Sequence, residues 1–159
     1  MKRYYLAYGS NLDIWQMSLR CPTAVRVGTG EIKDYELLFK GSKTGSYLTI
    51  EPKEGATVPV GVYTVTADDE KALDRYEGYP RFYYKKKLEL PILDERKHTE
   101  RMVHAFVYIM HEKRPAGIPT HRYMDTCTRG YEHFGFDKKI LRDAERRAWE
   151  ALGWQETAK

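Results

Sequence analysis

Seven stretches that favour extended structure constrain the fold of this chain more than any other feature. They contain many aromatic and β-branched residues, and glycine turns or charged loops separate several of them. The predicted strands are residues 4–8, 24–31, 35–40, 47–50, 58–65, 82–92 and 101–110. Strands therefore dominate the predicted structure.

Helical spacing of apolar residues is found in residues 12–20, 122–134 and 137–152. A further helix is predicted to begin at the N-cap Thr66, with Asp69 three residues on, and to end at Gly78. These elements predict an α+β fold, a small mixed β-barrel or curled sheet with about three flanking helices. The length of 159 residues fits a single domain, residues 1–159.

Composition excludes several classes of protein. Hydrophobic residues make up 42% and charged residues 31%, which argues against a disordered tail and a membrane bundle. The net charge of +4 is weak, so we expect no nucleic-acid partner. The first residues contain no apolar run suited to a signal peptide or a membrane span, so we expect a cytoplasmic protein with no membrane partner. Cys21 and Cys127 are expected to be reduced and buried.

The sequence contains no familiar cofactor motif. The phosphate-binding loops GxxxxGKS/T and GxGxxG are absent, as are the GxSxG elbow of hydrolases and the HExxH pair of zinc proteases. The five histidines, at positions 98, 104, 111, 121 and 133, show no metal-ligand spacing. We therefore expect no cofactor and no metal site.

Two features remain that suit chemistry, and the first is a glycine loop at residues 8–12, Tyr8-Gly9-Ser10-Asn11-Leu12. A predicted strand ends there and opens directly into a helix, with Ser10 as N-cap and Gly9 at a positive φ. Backbone N–H groups at such a junction suit a carboxylate or a developing oxyanion. The alternative is an ordinary strand-to-helix turn in which glycine only relaxes the backbone.

The second feature is Glu77, at the C-terminal end of the predicted helix. The helix dipole disfavours a carboxylate there, and aromatic neighbours desolvate it further. These neighbours are Tyr76, Tyr79, Phe82, Tyr83 and Tyr84. Both effects raise the pKa of a carboxyl group, which is how a protein obtains a general base near neutral pH. The alternative is a solvated glutamate at a frayed helix end.

These residues resemble the γ-glutamylcyclotransferase superfamily. The similarity includes the glycine loop, residues 20–22, residues 72–80 and residues 123–136, in the family's order. The run from Tyr76 to Pro80 looks closer to the γ-glutamylamine branch and its bacterial relatives than to the glutathione-degrading branch. The resemblance implies a small barrel-like α+β fold and release of 5-oxoproline from γ-glutamyl compounds without a cofactor.

The resemblance also implies roles for single residues. It makes Glu77 the catalytic general acid and base. Tyr84 and Tyr123 correspond to pocket tyrosines that orient the glutamyl group or Glu77. The substrate loop falls on Tyr8, Gly9, Ser10, Asn11 and Leu12. The α-amine of the substrate would attack its own γ-carbonyl, so no protein nucleophile is required.

Two other functions remain open at this point. A non-catalytic protein of the same fold would bind a γ-glutamyl or amino-acid ligand. A basic interaction module would use residues 85–87 and 142–147, although interspersed acids argue against it. We expect a small-molecule γ-glutamyl partner and a monomer or homodimer. Since no acidic cluster is evident that would select a polycationic amine, we also expect broad tolerance on the leaving side of the substrate.

Overall fold

Five strands close into a barrel in this computed structural model, which describes residues 2–42 and 45–154. The strands are β1 (Arg3–Ala7), β2 (Val25–Lys40), β3 (Tyr47–Val65), β4 (Tyr83–Asp94) and β5 (Thr99–Met110). Their order around the barrel is β1-β3-β2-β4-β5, and only β1 and β5 pair in parallel. The predicted α+β fold with a small barrel is confirmed.

Two of these strands each join a pair of predicted ones. β2 combines the second and third predicted strands, and β3 combines the fourth and fifth. The pairing register shifts between Lys33 and Tyr35, where Asp34 has a φ of 63°. The Asp34 carboxylate accepts a hydrogen bond from the N–H of Gly55 on the facing strand, at 2.9 Å. At this irregularity the pairing register shifts and the pairing then resumes, so the sheet continues through residues that separate the predicted strands.

Four α-helices and one short 3-10 helix occur in the described part of the chain. They are the 3-10 helix Ser10–Leu12, α1 (Ile14–Arg20), α2 (Ala67–Glu77), α3 (His121–Phe134) and α4 (Lys139–Ala151). α2 has the predicted start, because the Thr66 hydroxyl accepts from the N–H of Asp69 and the Asp69 carboxylate accepts from the N–H of Thr66. It ends at Gly78, whose φ of 64° is a left-handed conformation that glycine adopts readily.

The first helix begins differently from the prediction. Asp13, and not Ser10, caps α1, and its carboxylate accepts from the N–H of Trp15 at 3.1 Å. The φ of Gly9 is −125°, so the predicted positive φ is wrong. Space explains the glycine instead, since a Cβ at this position would lie 3.2 Å from the Tyr123 hydroxyl.

Charged side chains attach α2 to the barrel. The Lys85 ammonium on β4 contacts Glu70 at 2.5 Å and Asp74 at 2.9 Å, both on α2. The Tyr108 hydroxyl on β5 donates to the Asp74 carboxylate at 2.6 Å. Arg3 on β1 also pairs with Glu70, at 2.8 Å. These contacts hold α2 against β1, β4 and β5.

Candidate active site

A cavity of about 390 Å³ lies among the glycine loop, the C-terminal end of α2 and the start of β4. Half of its lining residues are aromatic, and the lining contains one carboxyl group, that of Glu77. Six of the predicted site residues line it: Tyr8, Gly9, Ser10, Asn11, Glu77 and Tyr123. The barrel thus brings together residues that are distant in the chain, in a space suited to a small organic molecule.

Two backbone N–H groups of the glycine loop, which lines this cavity, are unpaired in the described part of the chain. The N–H groups of Leu12 and Asp13 bond to the carbonyl groups of Gly9 and Ser10. Within residues 2–42 and 45–154, no acceptor is found for the N–H groups of Ser10 and Asn11. Such unpaired donors suit a carboxylate or a carbonyl oxygen that gains negative charge.

Side-chain contacts hold the glycine loop in place. The Asn11 amide nitrogen donates to the Tyr5 hydroxyl at 2.9 Å, and its carbonyl oxygen accepts from the Arg20 guanidinium. The Ser10 hydroxyl lies 2.8 Å from the Tyr76 hydroxyl. The loop is therefore tied to β1, α1 and α2 before any ligand binds.

Glu77 is the last residue of α2, and desolvation by the surrounding protein raises its pKa to about 8. The positive charge of Arg20 opposes this shift. Desolvation and then the charge of Glu77 raise the pKa of Tyr5 and of Tyr8, which share the cavity. Glu77 is half-buried and lines the cavity. Because its carboxyl group ionises near neutral pH, it can accept a proton and also donate one.

Tyr84 does not line the cavity, which corrects the placement expected from the family resemblance. Its hydroxyl donates to the Glu112 carboxylate at 2.5 Å, and its ring packs against His111. Tyr83 lines the cavity instead and donates to the carbonyl group of Leu48 at 2.8 Å. Successive residues of a strand face opposite sides, so only one of the two tyrosines faces the cavity.

Leu12 also lies outside the cavity lining. Its side chain is fully buried, and Leu12 packs so closely against α3 that a Cβ on Gly130 would lie 2.5 Å from the Leu12 Cβ. Leu12 therefore anchors the glycine loop in the core. The role of the other loop residues and of Tyr123 in substrate binding stays a prediction.

A family model described as gamma-glutamyl cyclotransferase, AIG2-like, matches residues 5–125. The match includes the glycine loop, Glu77 and Tyr123 and spans more than half of the chain. The chain belongs to this family. The resemblance to the γ-glutamylcyclotransferase superfamily is thus confirmed.

Solved structures of other proteins share the fold. One described as a gamma-glutamyl cyclotransferase has a TM-score of 0.71 and 20% identity, covering 100% of this chain and 91% of that chain. A human protein described as uncharacterized has a TM-score of 0.67 and 23% identity, covering 99% and 92%. A yeast cyclotransferase described as specific to glutathione has a TM-score of 0.55 and 10% identity, covering 92% and 99%. No curated protein matches the chain by sequence.

Sequence reasoning missed several residues around the cavity, namely Tyr5, Arg20, Tyr47 and Tyr108. A signal was available for Tyr5 and Tyr108, because each lies beside apolar residues in a predicted strand. A buried tyrosine tip needs a hydrogen-bonding partner and thus indicates a polar site nearby. The described residues contain neither a cluster of three metal-ligating side chains nor a helix long and apolar enough to cross a membrane.

Proposed function

We propose that the protein is a γ-glutamyl cyclotransferase that releases 5-oxoproline and a free amine from an L-γ-glutamyl amine or amide. One observation carries this proposal: the desolvated carboxyl group of Glu77 shares a cavity with the free N–H groups of Ser10 and Asn11. Membership of the cyclotransferase family supports the reaction type.

The reaction requires orientation and proton transfer and needs no protein nucleophile. The α-amine nitrogen attacks the γ-carbonyl carbon of the same molecule, a five-membered ring forms, and the bond from that carbon to the leaving amine breaks. A protein that holds the substrate in this folded conformer gains the high effective concentration of an intramolecular reaction. The aromatic walls of the cavity supply that confinement.

Glu77 moves the proton in this proposal. The substrate α-amine has a pKa of about 8 or above and is mostly ammonium at pH 7, so it must lose a proton before it attacks. Ionised Glu77 accepts this proton and then donates it to the leaving nitrogen as its bond to the carbonyl carbon breaks, and the ring nitrogen loses its second proton to the solvent. Because the pKa of Glu77 is also about 8, neither transfer is strongly uphill.

The glycine loop stabilises negative charge. The N–H groups of Ser10 and Asn11 bind either the α-carboxylate of the substrate or the oxyanion that forms at the γ-carbonyl. The hydrogen bonds of Asn11 to Tyr5 and Arg20 keep the loop in one conformation, so little reorganisation accompanies the reaction.

The test is 5-oxoproline release from γ-glutamyl amino acids, glutathione, γ-glutamyl-ε-lysine and γ-glutamylated polyamines or aminoglycosides. We expect turnover of at least one class, and a loss of roughly 10²–10⁴-fold in Glu77→Gln, because the variant keeps the shape and removes the base. Glu112→Gln is the matched control, since that carboxylate bonds Tyr84 outside the cavity.

Acetylation of the substrate α-amine should abolish the reaction, because that nitrogen is the nucleophile. Release of free glutamate in place of 5-oxoproline would mean hydrolysis and would contradict the intramolecular mechanism. Binding of γ-glutamyl compounds without turnover of any would mean that the protein is a binder.

A further inference from the structure

A second cavity, of about 520 Å³, adjoins the first and is called the arginine cavity below. The two cavities share four lining residues, Ser10, Tyr47, Tyr76 and Tyr123. The charged residues that line the arginine cavity are Arg20, Arg122 and Arg129, and its lining includes no aspartate or glutamate. A positively charged space therefore opens directly beside the proposed catalytic cavity.

Two helices supply these arginines. Arg122, Thr126 and Arg129 are spaced four and three residues apart on α3, which places them on one helix face. Arg20 is the last residue of α1, and its guanidinium lies 3.4 Å over the centre of the Tyr76 ring. Stacking and hydrogen bonding thus hold Arg20 at the junction of the two cavities.

The positive charge of this cavity is only partly compensated within the described chain. The Arg129 guanidinium donates to the buried Asp13 carboxylate at 3.1 Å. Arg20 bonds to the side-chain amide oxygens of Asn11 and Gln16, which carry no charge. In residues 2–42 and 45–154, the Arg122 side chain has no hydrogen bond or ion pair. Two guanidinium groups therefore line the cavity without a carboxylate partner.

We infer that the arginine cavity binds a carboxylate carried by the leaving amine. The inference rests on the proposed function: with the glutamyl group beside Glu77, the leaving amine emerges at the shared residues Ser10 and Tyr76. Planar guanidinium groups match a carboxylate, whereas a polyamine would be repelled there. The preferred substrates are therefore γ-glutamyl amino acids or short γ-glutamyl peptides. This replaces the broad tolerance expected from the sequence.

The test compares γ-glutamylglycine with γ-glutamylglycinamide, which has nearly the same shape and no charge on the leaving side. We expect kcat/KM for the acid to exceed that for the amide by roughly tenfold, as suits a charge-assisted contact at a partly exposed site. In Arg122→Gln this ratio should fall towards one, mainly because KM for the acid rises. Arg122→Lys should retain part of the preference for the acid. Added salt should reduce this preference in the wild type.

Arg142→Gln is the matched control, because Arg142 is an exposed arginine on α4 outside both cavities. It should leave the acid-to-amide ratio unchanged. Calorimetric binding of the two compounds to Glu77→Gln should show the same preference without requiring turnover. That measurement separates the inference from the catalytic mechanism.

Equal kcat/KM for acid and amide in the wild type would overturn the inference and leave the proposed function intact. The inference would also be overturned if Arg122→Gln weakened the binding of both compounds equally, because the arginine would then bind the glutamyl group. If no γ-glutamyl compound yields 5-oxoproline, the proposed function fails. Equal calorimetric affinities of the acid and the amide would then overturn the carboxylate site as well.

Discussion

The Arg20 guanidinium lies over the ring of Tyr76, which immediately precedes Glu77 in α2. The stacking holds a positive charge near a carboxyl group whose pKa is raised by desolvation, and that charge lowers the pKa in part. The end of α1 therefore adjusts the acidity of the proposed base at the end of α2.

Arg20→Gln is expected to raise the pKa of Glu77 above about 8, because the opposing positive charge is removed. The rise of kcat/KM with pH should then move to higher pH, while Arg20→Lys should stay close to the wild type. Full pH profiles of the three proteins measure this. A profile in Arg20→Gln that coincides with the wild type would contradict the role of Arg20.

The wild-type kcat/KM is expected to increase between about pH 6 and pH 8. Ionised Glu77 is the form that accepts the ammonium proton, and well below a pKa of about 8 this form increases about tenfold per pH unit. Initial rates at low substrate concentration measure the profile. A rate that is flat from pH 5 to pH 8 would mean that another group is the base.

Glu77→Gln is expected to stabilise the fold at alkaline pH. The Glu77 pKa is about 8 in the folded protein, against an ordinary value of 4.5, so between these values the folded state holds a proton that the unfolded chain has lost. Wild-type stability therefore falls as pH rises through this window, by an amount on the order of a few kcal/mol.

Glutamine does not titrate, so the stability difference between variant and wild type should be small near pH 4.5 and largest above pH 8. Urea unfolding at both pH values measures it. A difference that is the same at both pH values would show that Glu77 titrates normally in the folded state.

Gly9→Ala is expected to raise KM through a contact with Tyr123. The new Cβ would lie 3.2 Å from the Tyr123 hydroxyl, closer than an ordinary van der Waals contact. Tyr123→Phe removes the contacted atom, although it also removes the acceptor for the N–H of Leu48. The double variant should therefore recover part of the lost affinity, with a coupling of roughly 0.5–3 kcal/mol in a double-mutant cycle. Strict additivity would contradict this account.

Tyr83→Phe is expected to reduce kcat/KM more than Tyr84→Phe. Tyr83 lines the cavity and its hydroxyl bonds the Leu48 carbonyl, and loss of this bond should also lower the free energy of unfolding by about 1–3 kcal/mol. Tyr84→Phe loses only an exposed bond to Glu112 and should stay near wild-type activity. The reverse order would place the reaction outside this cavity.

Features that depend on neighbouring residues were predictable from the amino-acid sequence. The start of α2 follows from Thr66 and Asp69, which bond each other's backbone three positions apart. Its end follows from the left-handed conformation of Gly78. Glu77 was therefore predictable as a carboxyl group at a helix C-terminus. The aromatic residues around it indicated desolvation for the same local reason.

Which tyrosine of β4 faces the cavity depends on how elements that are distant in the chain pack together. Lys85 lies on the same face of β4 as Tyr83, and its ion pairs with Glu70 and Asp74 bring α2 onto that face. Alternation alone does not reveal which face a distant helix covers. The arginine cavity also depends on this packing. Arg20 and Arg122 come from different helices and meet only when the barrel and its helices pack together.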